Sequence, residues 1–204
     1  MTDPIRLLLA DDQALVRGAL AALLTLEPDL EVVVEVERGD QVLDAIRSTP
    51  VDVALLDVEM DGLDGIAVVE LLAKESPDVR SIIVTTFGRP GYLRRALDAG
   101  ASGFVVKDTP AADLADAVRR VHSGLRVVDP ELATQSLMEG NNPLNPREQE
   151  ALKRSLDGSP VSSIARVMSL SVGTVRNYLS SAVAKTGAVS SAQAAVIARE
   201  RGWL

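Results

Sequence analysis

Short, almost uninterrupted apolar runs alternate with longer amphipathic stretches through the first 123 residues of this chain. The runs are residues 6–10, 30–36, 51–56, 81–86 and 102–106. Such runs are typical of strands that are buried on both faces, and the stretches between them repeat apolar residues at helical spacing. The first of these stretches does so with Leu15, Ala19, Leu20, Leu23 and Leu24. Five successive strand–helix units predict a doubly wound α/β fold around a five-stranded parallel sheet.

The alternation ends near residue 123, where turn-forming and helix-breaking residues follow. Residues 129–130, 140–143 and 145–146 all combine Asp, Asn or Gly with Pro. A short helix can still occupy residues 130–138, because proline is tolerated in a first helical turn. Beyond the breakers every segment has a helical pattern. We therefore expect an α/β domain at residues 1–123, a linker at 124–142 and a small all-α, four-helix domain at 143–204.

Charge is distributed unevenly between these two regions. The chain has 204 residues and a formal net charge of −8, yet residues 141–204 carry eight Lys/Arg against four Asp/Glu. A small basic module beside an acidic one permits a nucleic-acid contact at one end only, although chance could also produce the difference. The chain has no cysteine, and no apolar run is long enough to cross a bilayer. We expect a cytoplasmic protein without membrane insertion.

Three carboxylates are predicted to meet at one edge of the sheet. Asp11 and Asp12 follow the first strand, and Asp57 follows the third. In a sheet of order 2-1-3-4-5 these strands are neighbours, and ligands bind beyond their carboxyl ends. Clustered negative charge requires compensation, which an oxygen-liganded Mg²⁺ can supply. Alternatively, each Asp considered alone merely ends a strand or caps a helix.

Two further side chains can reach the same edge. Thr85 lies near the end of the fourth strand and Lys107 directly after the fifth. A carboxylate that attacks a phosphoryl group needs nearby positive charge, which an ammonium and Mg²⁺ supply together. A threonine hydroxyl could donate a hydrogen bond to a phosphoryl oxygen.

The acidic pair, Asp57, Thr85, Lys107 and the segment 99–107 resemble, in order and spacing, the receiver domains of bacterial two-component response regulators. The resemblance covers residues 1 to about 123 and implies a flavodoxin-like fold. It implies that Asp57 accepts a phosphoryl group from a sensor histidine kinase, and that Thr85 and Lys107 contact this group. Phe104 takes the position of the switch aromatic of that family.

The same resemblance implies a metal site. Asp12, Asp57 and the backbone carbonyl of Glu59 would coordinate Mg²⁺, and Asp11 would assist. Residues 85–92 also resemble the corresponding stretch of a narrower subgroup of these regulators.

In the last domain, residues 163–185 have the pattern of helix, tight turn, helix. Ser171 is placed to cap the second helix, on which Val175, Leu179 and Ala182 share one face. Outside that face lie the polar residues Thr174, Arg176, Asn177, Ser180 and Lys185. An apolar back with a polar, basic front suits a recognition helix in a DNA major groove, but it also suits a solvated helix of a small bundle.

Residues 144–148, 164–165 and 173–178 resemble the LuxR-type DNA-binding domain, so that the chain as a whole resembles the NarL/FixJ class of regulators. The resemblance implies double-stranded promoter DNA as a partner. Arg176, Asn177 and Ser180 would face bases or nearby phosphates, and Thr174 and Lys185 the DNA backbone. The final helix would pair two copies.

That final helix carries Ala192, Ala195 and Val196, with Trp203 following it, and it could instead only close the bundle. We expect a homodimer that forms on phosphorylation and regulates transcription, not an enzyme. Two alternatives use the same residues. One is a phosphotransferase or phosphatase that acts on a small substrate, and the other is a receiver that controls a protein-interaction bundle.

Overall fold

The computed structural model describes residues 3–86, 88–138, 142–156 and 158–204, apart from the side chains of Pro90, Glu131, Leu137 and Met138. Phe87 of the subgroup motif and the turn residues 140–141 lie outside these ranges. The chain divides into two compact units, Met1–Gly88 with Leu93–Thr134, and Arg89–Tyr92 with Gln135–Leu204. Among the described residues, no helix is long and apolar enough to span a membrane.

Strands and helices alternate through the first part of the chain, as predicted. The elements are β1 (Ile5–Ala10), α1 (Ala14–Thr25), β2 (Leu30–Val36), a 3₁₀ turn (Gly39–Gln41), α2 (Val42–Ser48), β3 (Val53–Leu56), α3 (Gly65–Glu75), β4 (Arg80–Thr85), α4 (Pro90–Ala99), β5 (Gly103–Val106), α5 (Ala111–His122), β6 (Val127–Val128) and α6 (Pro130–Met138). The predicted α/β class is confirmed, and so is the short helix at residues 130–138.

The sheet is parallel and has the order β2-β1-β3-β4-β5-β6. The prediction of five strands was wrong by one. Val127 and Val128, inside the predicted linker, pair with Gly103 and Phe104 of β5. Two apolar residues are too few to show a strand period in the sequence, so only the paired backbone reveals β6.

Alternate strand residues point to opposite faces of the sheet, and both faces are buried. On one face Leu7, Leu9 and Leu55 pack with Val118 of α5 and Leu24 of α1 in one apolar cluster. The intervening residues Leu8, Leu56, Ile83 and Phe104 are completely buried as well. This double burial explains why the strands appear in the sequence as nearly continuous apolar runs.

Helix α1 buries fewer of its leucines than its helical spacing suggests. Leu24 is buried and Leu20 packs partly against the same cluster. Leu15 and Leu23, in contrast, remain exposed. The helix is apolar on more than one face, so its pattern could not distinguish the side that packs on the sheet from the side that does not.

The second unit is built from α7 (Pro146–Ser155), α8 (Val161–Val167), α9 (Val172–Thr186) and α10 (Ser191–Glu200). Leu152, Ile164, Val175 and Leu179 lie in its apolar core together with Trp203. The predicted four-helix domain is confirmed.

Local hydrogen bonds fix the turn that joins α8 to α9. Ser169 in this turn has a φ of 55°, a left-handed conformation that non-glycine residues seldom adopt. The Ser171 hydroxyl then accepts a hydrogen bond from the Thr174 amide at 3.0 Å and so caps α9. The cap agrees with the sequence prediction, and the tight turn sets the angle between the two helices.

Candidate phosphorylation site and DNA-reading helix

Backbone pairing brings Asp11 and Asp57 side by side. Asp11 follows β1 and Asp57 follows β3, and the last residues of these parallel strands, Ala10 and Leu56, are register partners. The Asp57 amide donates a hydrogen bond to the Ala10 carbonyl at 2.9 Å, which extends the pairing into the site. Parallel strands deliver their carboxyl ends to one edge, so the two side chains emerge together.

The three predicted carboxylates converge. Each of Asp11, Asp12 and Asp57 offers an oxygen, and these oxygens all lie within 4.8 Å of one another. Asp57 and Asp11 are each only 3% exposed. Asp12, in contrast, is exposed, so a cluster buried on one side opens to solvent on the other. Such a set of hard oxygen donors with an accessible face could hold a divalent cation.

Lys107 supplies positive charge to this cluster. Its ammonium Nζ lies 2.7 Å from Asp11 Oδ2 and 2.9 Å from Asp57 Oδ2. Burial acts to lower the pKa of Lys107, but hydrogen bonds from its ammonium to Asp11 and Asp57 outweigh burial, and the pKa is raised. Burial raises the pKa of the Asp57 carboxyl although Lys107 opposes it. The ammonium is thus firmly charged where a second anionic group would arrive.

Thr85 and Phe104 lie on the adjacent strands. The Lys107 amide donates to the Thr85 carbonyl at 2.8 Å, which couples the end of β4 to the residue after β5. Thr85 is buried at the carboxyl end of β4. Phe104 is fully buried in β5 and is the register partner of Ile83. Glu59 lies in the exposed loop that follows β3.

In the second unit, α9 exposes four of the five predicted DNA contacts to solvent, and one of the four, Lys185, lies in the last turn of the helix, away from the other three. Arg176, Asn177 and Ser180 are exposed, while Val175 and Leu179 behind them are buried. The Thr174 hydroxyl lies 2.8 Å from the Ser171 hydroxyl and so belongs to the helix cap. The polar front expected of a recognition helix is therefore present on one side of α9.

Lys185 has an intramolecular partner that sequence reasoning missed. Its Nζ lies 2.8 and 2.9 Å from the two carboxylate oxygens of Glu148 on α7. Glu148 is only 2% exposed, and it also accepts hydrogen bonds from the Ser181 hydroxyl and the Asn145 amide. The spacing of Asn145 and Glu148 is that of a capping box, a signal that the sequence did carry.

The residues predicted to pair two copies through α10 divide into two groups. Ala195 and Trp203 are buried in the core of the second unit. Ala192 and Val196 are exposed. The helix thus closes its own bundle and still offers a small apolar surface.

Sequence comparison defines the class of protein. A model described as "Response regulator receiver domain" matches residues 7–119, and one described as "Bacterial regulatory proteins, luxR family" matches residues 142–198. The first match alone covers more than half of the chain, so the protein belongs to the response regulators. It is a two-component response regulator with a receiver domain and a LuxR-type DNA-binding domain.

Three response regulators illustrate which members of this class the chain is similar to. Transcriptional regulatory protein YvfU of Bacillus subtilis (strain 168) is 44% identical over 200 residues, covering 98% of this chain and 100% of that protein. DesR of the same strain, the regulator that residues 85–92 resemble, is 39% identical over 199 residues, covering 98% of both. The crystal structure of response regulator ChrA from a heme-sensing two-component system has a TM-score of 0.60 at 29% identity and covers both chains completely.

Proposed function

We propose that this chain is a transcription factor switched by phosphorylation of Asp57. The observation that carries the proposal is the Lys107 ammonium within 3 Å of a buried carboxylate pair at the carboxyl ends of β1 and β3. The donor is a phosphohistidine of a sensor histidine kinase. An Asp57 oxygen forms a bond to phosphorus as the phosphorus–nitrogen bond breaks, and the histidine nitrogen keeps that electron pair and takes up a proton.

Asp12, Asp57 and the Glu59 carbonyl would hold Mg²⁺, and Asp11 would assist. Carboxylate and carbonyl oxygens on a partly solvated edge fit the preferences of this ion. When bound, Mg²⁺ neutralises charge on the phosphoryl oxygens. Lys107 would add positive charge to the same site, where its ammonium already lies 2.7 Å from Asp11 and 2.9 Å from Asp57.

Thr85 and Phe104 would transmit the modification. A phosphoryl group adds up to about two negative charges and three acceptor oxygens, and the Thr85 hydroxyl is the donor that we expect to follow it. Because Thr85 and Phe104 lie on paired strands, movement of the first changes the space available to the second. Packed interiors respond to such events by repacking between discrete states.

We place the receiver contact of the phosphorylated dimer on α1. Residues that recur at three- and four-residue spacing form one exposed face without a charge: Leu15, Gly18, Ala19, Ala22, Leu23 and Leu26. Leu15 and Leu26 are 87% and 78% exposed. A continuous apolar surface of this kind is typical of protein contacts.

Leu15→Asp is therefore expected to keep the phosphorylated protein monomeric, because it puts a charge at the most exposed leucine of this face. Since Leu15 is exposed, the fold should be unaffected. Light scattering after size-exclusion chromatography, with and without acetyl phosphate, measures the effect. Ala73→Asp adds the same charge to an exposed position of α3 and should still dimerise. If Leu15→Asp dimerises as wild type does, the contact lies elsewhere.

We assign reading of DNA bases to Arg176 and Asn177, because an exposed arginine and asparagine on one helix can pair with guanine and adenine. Ser180 would contact the same groove. Lys185 and Thr174 were predicted to contact the DNA backbone, and their internal partners leave them less free to do so than Arg176. We also propose that the protein acts in the cytoplasm, where it meets both its kinase partner and its promoter DNA.

Selection from a library of randomised DNA duplexes, with and without acetyl phosphate, tests the DNA-binding function. We expect one motif to be enriched, more strongly after phosphorylation, and Arg176→Ala to weaken binding to that motif about tenfold. Arg147→Ala removes the same charge from an exposed position on α7 and serves as the control. Absence of any enriched motif would contradict the proposal and favour the protein-interaction or small-substrate alternative.

A further inference from the structure

Arg17 reaches from α1 into the loop that carries the acidic pair. Its Nη1 donates a hydrogen bond to the backbone carbonyl of Asp11. Its Nε lies 3.7 Å from Glu35 Oε2 on β2, and the side chain is only 17% exposed. One guanidinium thus joins a helix, the loop after β1 and the neighbouring strand.

The Asp11 carbonyl, which accepts the hydrogen bond from Arg17, lies in the backbone between the two acidic residues. The carbonyl of Asp11 and the amide of Asp12 belong to the same planar peptide unit, so a bond that orients this carbonyl orients the link between the two acidic residues. The rest of Asp11 is also held. Its amide donates to the Val36 carbonyl at 3.2 Å, and its Oδ1 accepts from the Gln13 amide at 2.9 Å.

Among the described contacts of Asp11, the hydrogen bond from Arg17 is the one that reaches its carbonyl. Arg17 therefore fixes, from the α1 side, the orientation of the peptide plane between Asp11 and Asp12. The Asp12 carboxylate is exposed and would otherwise sample several positions, and a metal ion binds more weakly to a ligand that it must first order. Partners one shell removed from a metal commonly change its affinity by tenfold or more for this reason.

We propose that Arg17 is a positioning residue of the magnesium site, which it serves by anchoring the peptide between Asp11 and Asp12. The inference rests on the proposed function of that site. Arg17 need not contact the metal or the phosphoryl group. It holds the loop in the geometry that the ion requires before the ion arrives.

Isothermal titration of the full chain with Mg²⁺ tests this proposal. Arg17→Met keeps most of the aliphatic stem and removes the donors, and we expect it to weaken Mg²⁺ binding about tenfold. Glu35→Gln breaks the ion pair of Arg17 but leaves the bond to Asp11 possible, so its affinity should stay within about twofold of wild type. All titrations are made at a temperature at which circular dichroism shows each variant fully folded.

Amide hydrogen exchange of the metal-free protein supplies a second measurement. Arg17→Met should exchange faster at Gln13, whose amide is bonded to Asp11, while the amides of β3 stay protected as in wild type. If Arg17→Met matches wild type in both Mg²⁺ affinity and Gln13 exchange, the role given to Arg17 is wrong and the proposed function stands. If the wild-type chain binds no Mg²⁺, the metal site of the proposed function fails and this inference fails with it.

Discussion

Lys107→Met slows phosphorylation of this protein by acetyl phosphate about 100-fold or more. The expected size is that of removing one preorganised charged donor from a site where negative charge gathers. In the structure the Lys107 ammonium bonds both buried carboxylates, Asp11 and Asp57. Without it, the incoming phosphoryl group meets two buried anions, and part of the compensating charge is lost. Initial rates of phosphoprotein formation on phosphate-affinity gels measure the effect.

A matched control variant distinguishes the role of Lys107 at the site from a general effect of removing one positive charge from the protein. Lys74→Met removes the same charge from α3, where the lysine is exposed and paired only at the surface with Glu70. Its phosphorylation rate should equal that of wild type. If Lys107→Met also kept the wild-type rate while remaining folded, the lysine would have no part in the chemistry.

Glu148→Ala destabilises the DNA-binding domain by about 2 to 3 kcal/mol, through lost bonds to a buried charge. The truncation removes the partner of Lys185 and Ser181 and one half of the capping box at the start of α7. Urea unfolding followed by Trp203 fluorescence reports on this domain, because Trp203 is the only tryptophan and lies in its core. Glu150→Ala, on the same helix but paired at the surface with Arg147 and Arg154, should cost less than about 1 kcal/mol.

The Glu148 carboxylate also makes the free energy of unfolding of the DNA-binding domain depend on pH. Burial acts to raise the pKa of Glu148, but the Lys185 ammonium, the Asn145 amide and the Ser181 hydroxyl outweigh it and lower the pKa below the ordinary 4.5. A carboxylate with a lowered folded-state pKa contributes stability above its unfolded pKa and loses it as the pH falls through the folded value. Stability should therefore fall below about pH 4.5, and less steeply in Glu148→Gln. Equal slopes in both proteins would contradict the lowered pKa.

The acidic site was predictable because its logic is topological. Residues that end neighbouring parallel strands must meet, so the places of Asp11 and Asp57 followed once β1 and β3 were recognised. Lys107 follows β5, one strand further away, but at the same edge of the sheet, and its long side chain reaches both carboxylates. The two helices and the tight turn were also visible, since Val175, Leu179 and Ala182 share one face of α9. This pattern suited a solvated helix of a small bundle as well, and the resemblance to the LuxR-type domain decided between the two.

What sequence reasoning missed depends on contacts between distant residues or on backbone atoms. Strand β6 is too short to show a period, and α1 is apolar on more than one face. Nothing in the sequence indicates that Lys185 pairs with Glu148, because the two residues are 37 positions apart and meet only when α7 and α9 pack together. Arg17 has a backbone carbonyl as its partner, and a carbonyl has no sequence signature.

Mass spectrometry of the intact protein after incubation with acetyl phosphate and Mg²⁺ tests whether Asp57 captures the phosphoryl group. We expect the addition of one phosphoryl group to wild type, dependent on Mg²⁺ and located at Asp57 after proteolysis. We expect no addition to Asp57→Asn, whose side chain has nearly the same shape but lacks the nucleophilic carboxylate. Equal addition to Asp57→Asn, or a phosphoryl group located at another residue of wild type, would contradict the role of Asp57.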